Sequence, residues 1–239
     1  MKVSLFVTCL VDQLYPQVGL STVRLLERFG ADVDFDARQT CCGQPAFNSG
    51  YGDEARQVGR HFVDLYQDRE WIVTPSGSCC SMIKVFLPEL LEDDRRYAEA
   101  ARKISERTWE LSDFLVSVLK VESTGASFPA RVTYHDSCHL LRELGIQDAP
   151  RKLLGAVSGI DFREMDSSDR CCGFGGTFSV KFSEISSAMG SNKLDAIRQT
   201  GADYVVATDV SCLMHLDGLI RRQESKLQVL HIAEVLARF

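Results

Sequence analysis

Nowhere in the 239 residues do 18 apolar residues run together, so no segment reads as a membrane-spanning helix. Met1 to Val11 has neither the full apolar region nor the small-residue cleavage site of a secretory signal, and a cytoplasmic location is expected. Basic charge is neither in excess nor clustered. Against 33 acidic residues stand 27 lysines and arginines, for a formal charge of −6, and the basic footprint of a nucleic-acid binder is missing. Proline is scarce, at 6, and with 45% hydrophobic and 25% charged residues the composition is neither disordered nor fibrous. No Walker sequence, G-x-S-x-G elbow or H-E-x-x-H is present, so hydrolase readings have no support, and Cys171-Cys172-Gly173-Phe174-Gly175-Gly176 lacks the G-x-G-x-x-G spacing, which leaves only a weak signal for a phosphate cradle. What the sequence does have is nine cysteines. In a reducing compartment they point to metal, cluster or redox chemistry before structural disulfides.

Eight of the nine fall in two matching sets. Cys9, Cys41, Cys42 and Cys79 recur as Cys138, Cys171, Cys172 and Cys212, at offsets of 129, 130, 130 and 133 residues. Gly follows the Cys pair in both, as Gly43 and Gly173. This is an internal duplication. Each half closes on a similar amphipathic stretch, Leu111 to Leu115 and Ile232 to Leu236, at an offset of 121 that leaves about a dozen extra residues near Glu92 to Arg107. The expected organisation is a first repeat over 1–122, a small, polar, Pro-containing linker over 123–130, and a second repeat over 131–239.

Short β-branched or aromatic runs read as buried strands at Val3 to Val7, Val33 to Phe35 and Trp71 to Val73, and again at Arg131 to Tyr134, Ile160 to Arg163 and Asp203 to Ala207. Helices separate them, one with Leu14, Val18, Leu25 and Phe29 on one face and its end at Gly30. The expected fold is α/β: two tandem pseudo-symmetric Rossmann-like halves, each a small parallel sheet flanked by helices. Every paired cysteine then follows the C-terminal end of a strand, the edge where open parallel sheets bind ligands.

Four converging thiolates suit zinc, an iron–sulfur cluster or redox thiols. Structural zinc usually takes two C-x2-4-C knuckles, which neither half has. A four-iron cluster has separate corners that adjacent thiolates such as Cys41 and Cys42 can reach. One 4Fe-4S cluster per half is therefore the leading expectation, with zinc as a substitute and a non-cubane cluster as a variant. Gly43 and Gly173 would bring backbone amides to cluster sulfides. Cys80 has no counterpart and reads as a spare thiol. Around Cys138 lie His135, Asp136 and His139, which suit proton-coupled electron transfer or orientation of a hydroxy acid, or a helix cap instead. Gln44 and Asn48 suit hydrogen bonds to a bound group or simple turn formation.

The repeated pattern of a Cys, a Cys-Cys-Gly and a terminal Cys resembles the CCG cysteine-rich domain proteins over nearly the whole chain. More narrowly, Phe6-Val7-Thr8-Cys9-Leu10-Val11-Asp12, Cys41 to Tyr51, Ser76-Gly77-Ser78-Cys79 and Ser211-Cys212-Leu213-Met214-His215 resemble the lactate-utilisation protein A family. That family is related to the B subunit of heterodisulfide reductase and to the iron–sulfur subunit of glycolate oxidase. The resemblance implies an iron–sulfur electron-transfer subunit that works with companion iron–sulfur and accessory proteins to oxidise L-lactate to pyruvate. It also raises an alternative, a thiol- or heterodisulfide-reducing catalytic subunit. One departure bears on that alternative: the second Cys of the terminal C-x-x-C is Met82 in the first half and His215 in the second. His215 is therefore a further ligand candidate.

Overall fold

The alternation of short apolar runs with amphipathic stretches produces, in the computed structural model describing residues 1–239, two four-stranded sheets with every strand parallel. The chain divides into two units, Met1–Leu119 and Lys120–Phe239. The first runs β1 (Lys2–Leu5), α1 (Cys9–Leu14), α2 (Pro16–Arg28), β2 (Asp32–Asp34), α3 (Gln44–Asn48), α4 (Gly52–Tyr66), β3 (Ile72–Thr74), α5 (Gly77–Ser81), α6 (Leu87–Leu90), α7 (Ala98–Arg107), β4 (Thr108–Glu110) and α8 (Leu111–Asp113). The second runs β5 (Arg131–Tyr134), α9 (Asp148–Gly155), β6 (Asp161–Phe162), α10 (Phe178–Lys181), α11 (Ser183–Gln199), β7 (Tyr204–Ala207), α12 (Val210–Arg222), β8 (Gln228–His231) and α13 (Ile232–Leu236). Strand order is β2-β1-β3-β4 in one sheet and β6-β5-β7-β8 in the other. No helix is long and apolar enough to cross a membrane.

Ile72, Val73 and Thr74 of β3 are all fully buried, as a strand covered by helices on both faces requires. The fourth strand of each sheet goes beyond the sequence expectation. Thr108-Trp109-Glu110 and Gln228-Val229-Leu230-His231 carry no long apolar run, and each leads straight into a capped helix. Glu110 accepts from the backbone N–H of Ser112 at 2.8 Å and of Asp113 at 3.2 Å. His231 accepts from Ala233 N–H at 3.1 Å, while Glu234 accepts from His231 N–H at 3.0 Å. The Glu110 cap fixes where α8 begins, and the reciprocal His231–Glu234 cap fixes where α13 begins.

The single helix expected from Leu14 to Phe29 is two. Pro16 restricts the residue before it, and Tyr15 breaks the helix at φ −134° and ψ 50°. Leu14 is consequently exposed, whereas Val18 and Leu25 are buried. The extra residues of the first half form α7, which buries Ala101 and Ile104. Residues 123–130, expected as a linker, pack on the second unit. Ser127 N–H donates to Arg238 O at 2.9 Å and Phe128 N–H to Ser158 O at 2.8 Å, with Thr124, Ala126 and Phe128 buried. Apolar Ala126 and Phe128 supply the burial that a polar average conceals.

Candidate metal centres

In each sheet the strand order reverses beside the first strand, and such a reversal opens a crevice at the C-terminal strand ends. Cys9 is the first residue of α1, just past β1, and Cys79 lies in the first turn of α5, just past β3. Ser76 caps that turn, its Oγ accepting from Cys79 N–H at 3.2 Å. Cys41 and Cys42 come from the loop between β2 and α3. Three hydrogen bonds hold this loop over the crevice: Gln39 Oε1 accepts from Val7 N–H at 2.9 Å and from Tyr66 OH at 3.2 Å, and Gln44 Nε2 donates to Ser78 O at 3.2 Å. Gln44 is thus a tie between loops, and Asn48 is exposed at the end of α3. The second unit repeats the plan, with Cys138 after β5, Cys171 and Cys172 before α10, and Cys212 in the first turn of α12.

The thiols of each set form a chain of contacts. Cys9 Sγ lies 3.9 Å from Cys41 Sγ, and Cys42 Sγ lies 3.3 Å from Cys79 Sγ. Cys41 and Cys42 also interact, which joins the two pairs. Cys138, Cys171, Cys172 and Cys212 are linked in the same order. Hydrogen bonds from Cys42 and Cys9 hold the Cys41 thiol well below the usual range, and Cys138 and Cys172 do the same for Cys171. The donors are pushed up in turn: Cys9 and Cys42 by their bonds to Cys41 and by burial, Cys138 and Cys172 by their bonds to Cys171 and by burial. Each site therefore stabilises at least one thiolate and keeps neighbouring protons ready to be displaced by a cation.

Both glycines after the Cys pair adopt φ +91°, a left-handed conformation that L residues disfavour. This bend aims the Gly43 N–H at Cys41 Sγ, 3.4 Å away, and the Gly173 N–H at Cys171 Sγ, 3.3 Å away. Beside the first set a cavity of about 430 Å³ is lined by Val7, Cys9, Phe35, Gln39, Thr40 and Cys41, among others. The soft sulfur donors, the amides aimed at them and the adjoining space fit a sulfur-bridged iron centre.

Cys80 is fully buried and its thiol is pushed up by that burial; it belongs to neither chain of thiols. Met82 is buried core, packed with Cys42 and Cys79. His215 turns to Ser186, its Nε2 lying 3.4 Å from both the Oγ and the backbone O. Asp136 is fully buried and gripped by Arg151 at 2.7 and 2.8 Å. Burial pushes its carboxyl up, but the hydrogen bonds from Arg151 and Ser168 outweigh this and hold it below the usual range. An ion pair, rather than a helix cap, is the position it fills. His139 sits half-buried at the start of the helical turn His139–Glu143.

His135 is placed otherwise. It is fully buried, and one of its ring nitrogens lies with Cys172 and Cys212 in a group whose ligand atoms are all within 4.8 Å of one another. Neither ring nitrogen has a hydrogen-bond partner. Cys212 is held below the usual thiol range by Cys172 first and by His135 as well. Sequence reasoning also passed over Lys193, fully buried in α11 and donating to Ser168 O at 2.7 Å and Ser167 O at 3.3 Å. The signal was available in the repeat, where charged and apolar residues exchange at matching positions.

A doubled parallel sheet with a Cys-Cys-Gly loop at each crevice defines a tandem cysteine-rich domain protein, and the cysteine-rich domain family matches residues 3–84 and 132–217. Lactate utilization protein A of Bacillus subtilis (strain 168) is 48% identical over 99% of this chain and 99% of its own length. That of Geobacillus sp. (strain WCH70) is 47% identical over the same shares. The chain belongs to the lactate utilization protein A family. Among solved structures, a hypothetical protein from Helicobacter pylori superposes with a TM-score of 0.65 at 12% identity. It matches 97% of this chain, which spans 47% of that one, and the likeness is one of fold.

Proposed function

We propose that this protein is the iron–sulfur electron-transfer subunit of an L-lactate-oxidising system that yields pyruvate, with one 4Fe-4S cluster per unit. Cys9, Cys41, Cys42 and Cys79 would hold one cluster, and Cys138, Cys171, Cys172 and Cys212 the other. The carrying observation is the pair of four-thiol chains at equivalent strand ends, each with a glycine amide aimed at its most acidic sulfur. Removing two electrons from a hydroxy acid calls for carriers, and such clusters when bound supply one-electron chemistry. The protein's own part is to present thiolates, exclude water from the buried sulfurs and direct N–H groups at the acceptors. Companion iron–sulfur and accessory subunits would supply the substrate site, and reduced thiols suit the cytoplasm.

A second reading, zinc, has specific support. Zinc–sulfur bonds of about 2.3 Å in a tetrahedron place sulfurs about 3.8 Å apart, close to the 3.9 Å between Cys9 and Cys41. The group of His135, Cys172 and Cys212 offers another zinc-like donor set. Anaerobic purification followed by iron, acid-labile sulfide and zinc analysis decides between them. The cluster reading expects equal iron and sulfide with visible absorption that bleaches on reduction; zinc with neither would refute it.

A further inference from the structure

The two units repeat the same backbone positions with different chemistry beneath the thiols. Phe6 and His135 each follow the first strand of their sheet, and they make the same backbone bond, Phe6 N–H to Val73 O and His135 N–H to Val206 O, both at 2.9 Å. The long helix after each Cys-Cys-Gly loop buries Ala55, Gly59, Phe62, Val63 and Tyr66 in α4, and Ser186, Gly190, Lys193, Leu194 and Ile197 in α11. The spacing is identical, so Phe62 and Lys193 occupy equivalent places.

In the first unit these positions are aromatic. Phe6 meets Phe62 edge-on at 4.9 Å, and Phe62 stacks on Tyr66 at 4.4 Å. In the second they are His135 and Lys193, both fully buried. His135 lies within 4.8 Å of the Cys172 and Cys212 sulfurs, and the Lys193 ammonium is close enough to both to interact with their charge. Reducing a buried centre adds negative charge to it. An N–H dipole and a cation in a low-dielectric interior stabilise that charge, and aromatic rings offer it nothing comparable.

Resting on the cluster reading above, we propose that the two centres are built unequal. The second, backed by His135 and Lys193, is the higher-potential centre, and the first, backed by Phe6 and Phe62, is the lower. His135 and Lys193 are positioning residues, acting through Cys172 and Cys212.

An EPR-monitored redox titration of the full chain, with iron and sulfide measured on the same sample, tests this. Two reduction steps are expected. His135→Phe should move the upper step toward the lower and leave the lower in place, Lys193→Met should act in the same direction, and His135→Gln, which keeps an N–H donor, should retain more of the separation. Phe6→His should raise the lower step. Should His135→Phe lose its cluster, wild-type protein labelled with 15N-histidine serves instead, with nitrogen coupling expected on the upper signal alone. A single step, an upper step indifferent to both His135→Phe and Lys193→Met, or coupling on the lower signal alone would overturn the ordering. Absence of iron and sulfide would remove it together with the reading beneath it.

Discussion

Gly43 and Gly173 share a backbone conformation but not a neighbourhood. A Cβ on Gly43 would find its nearest atom at 3.5 Å, whereas one on Gly173 would come within 2.5 Å of Ser186 O and 2.9 Å of Met189 Cβ. Gly43→Ala should therefore cost only the left-handed strain, about 1–2 kcal/mol. Gly173→Ala should add a further ~1–3 kcal/mol of overpacking against α11 backbone that cannot move aside. Denaturant midpoints of the two variants check the difference; equal losses would mean that crowding at Gly173 is relieved without cost. Cys80 makes a sharper distinction among thiols. Being buried outside both chains of sulfur contacts, it should tolerate Cys80→Ala with about 1 kcal/mol of lost packing and no change in metal content, in contrast to Cys79→Ser. At this scale the sequence disclosed which cysteines come together, because duplication marks them by register. It did not disclose that His135 faces the thiols while His215 turns to Ser186, since both follow from side-chain direction within crowded elements and not from spacing.

Among the elements, β1, β3, β5 and β7 were legible because largely buried apolar runs leave a clear signature. The edge strands β4 and β8 were not, since their place depends on pairing with β3 and β7 and on the caps that follow. The cap at α13 carries its own pH dependence. Burial raises the Glu234 carboxyl above its ordinary value, so the folded state keeps that proton to higher pH than the unfolded chain does. The resulting stability is complete below the unfolded value and is lost as pH rises through the folded one. Glu234→Gln retains an acceptor for the His231 N–H and removes the buried charge. It should match wild type in urea near pH 4 and exceed it at pH 7, whereas Glu234→Ala should lose about 1 kcal/mol at either pH. A Gln variant weaker than wild type at pH 7 would show that the charged hydrogen bond outweighs desolvation. Helix α2 gives the opposite lesson, for periodicity alone ran it through Tyr15, where the proline that follows forbids continuation.

For the molecule as a whole, duplication was visible from the cysteine register before any element was assigned, and two sheets of identical strand order follow from it. What the repeat alone did not show was that its diverged positions, aromatic in one unit and histidine and lysine in the other, lie buried beside the thiols. Each unit also draws its four thiols entirely from its own sequence, Met1–Leu119 or Lys120–Phe239, so the sites should fill independently. The most direct measurement is iron and labile sulfide per chain, under anaerobic conditions, in wild type beside two double variants, Cys41→Ser/Cys42→Ser and Cys171→Ser/Cys172→Ser. Each variant should hold half the wild-type iron and sulfide and keep the EPR signal of the untouched unit. Full iron in either variant, or its complete loss from both, would contradict two separate four-cysteine centres.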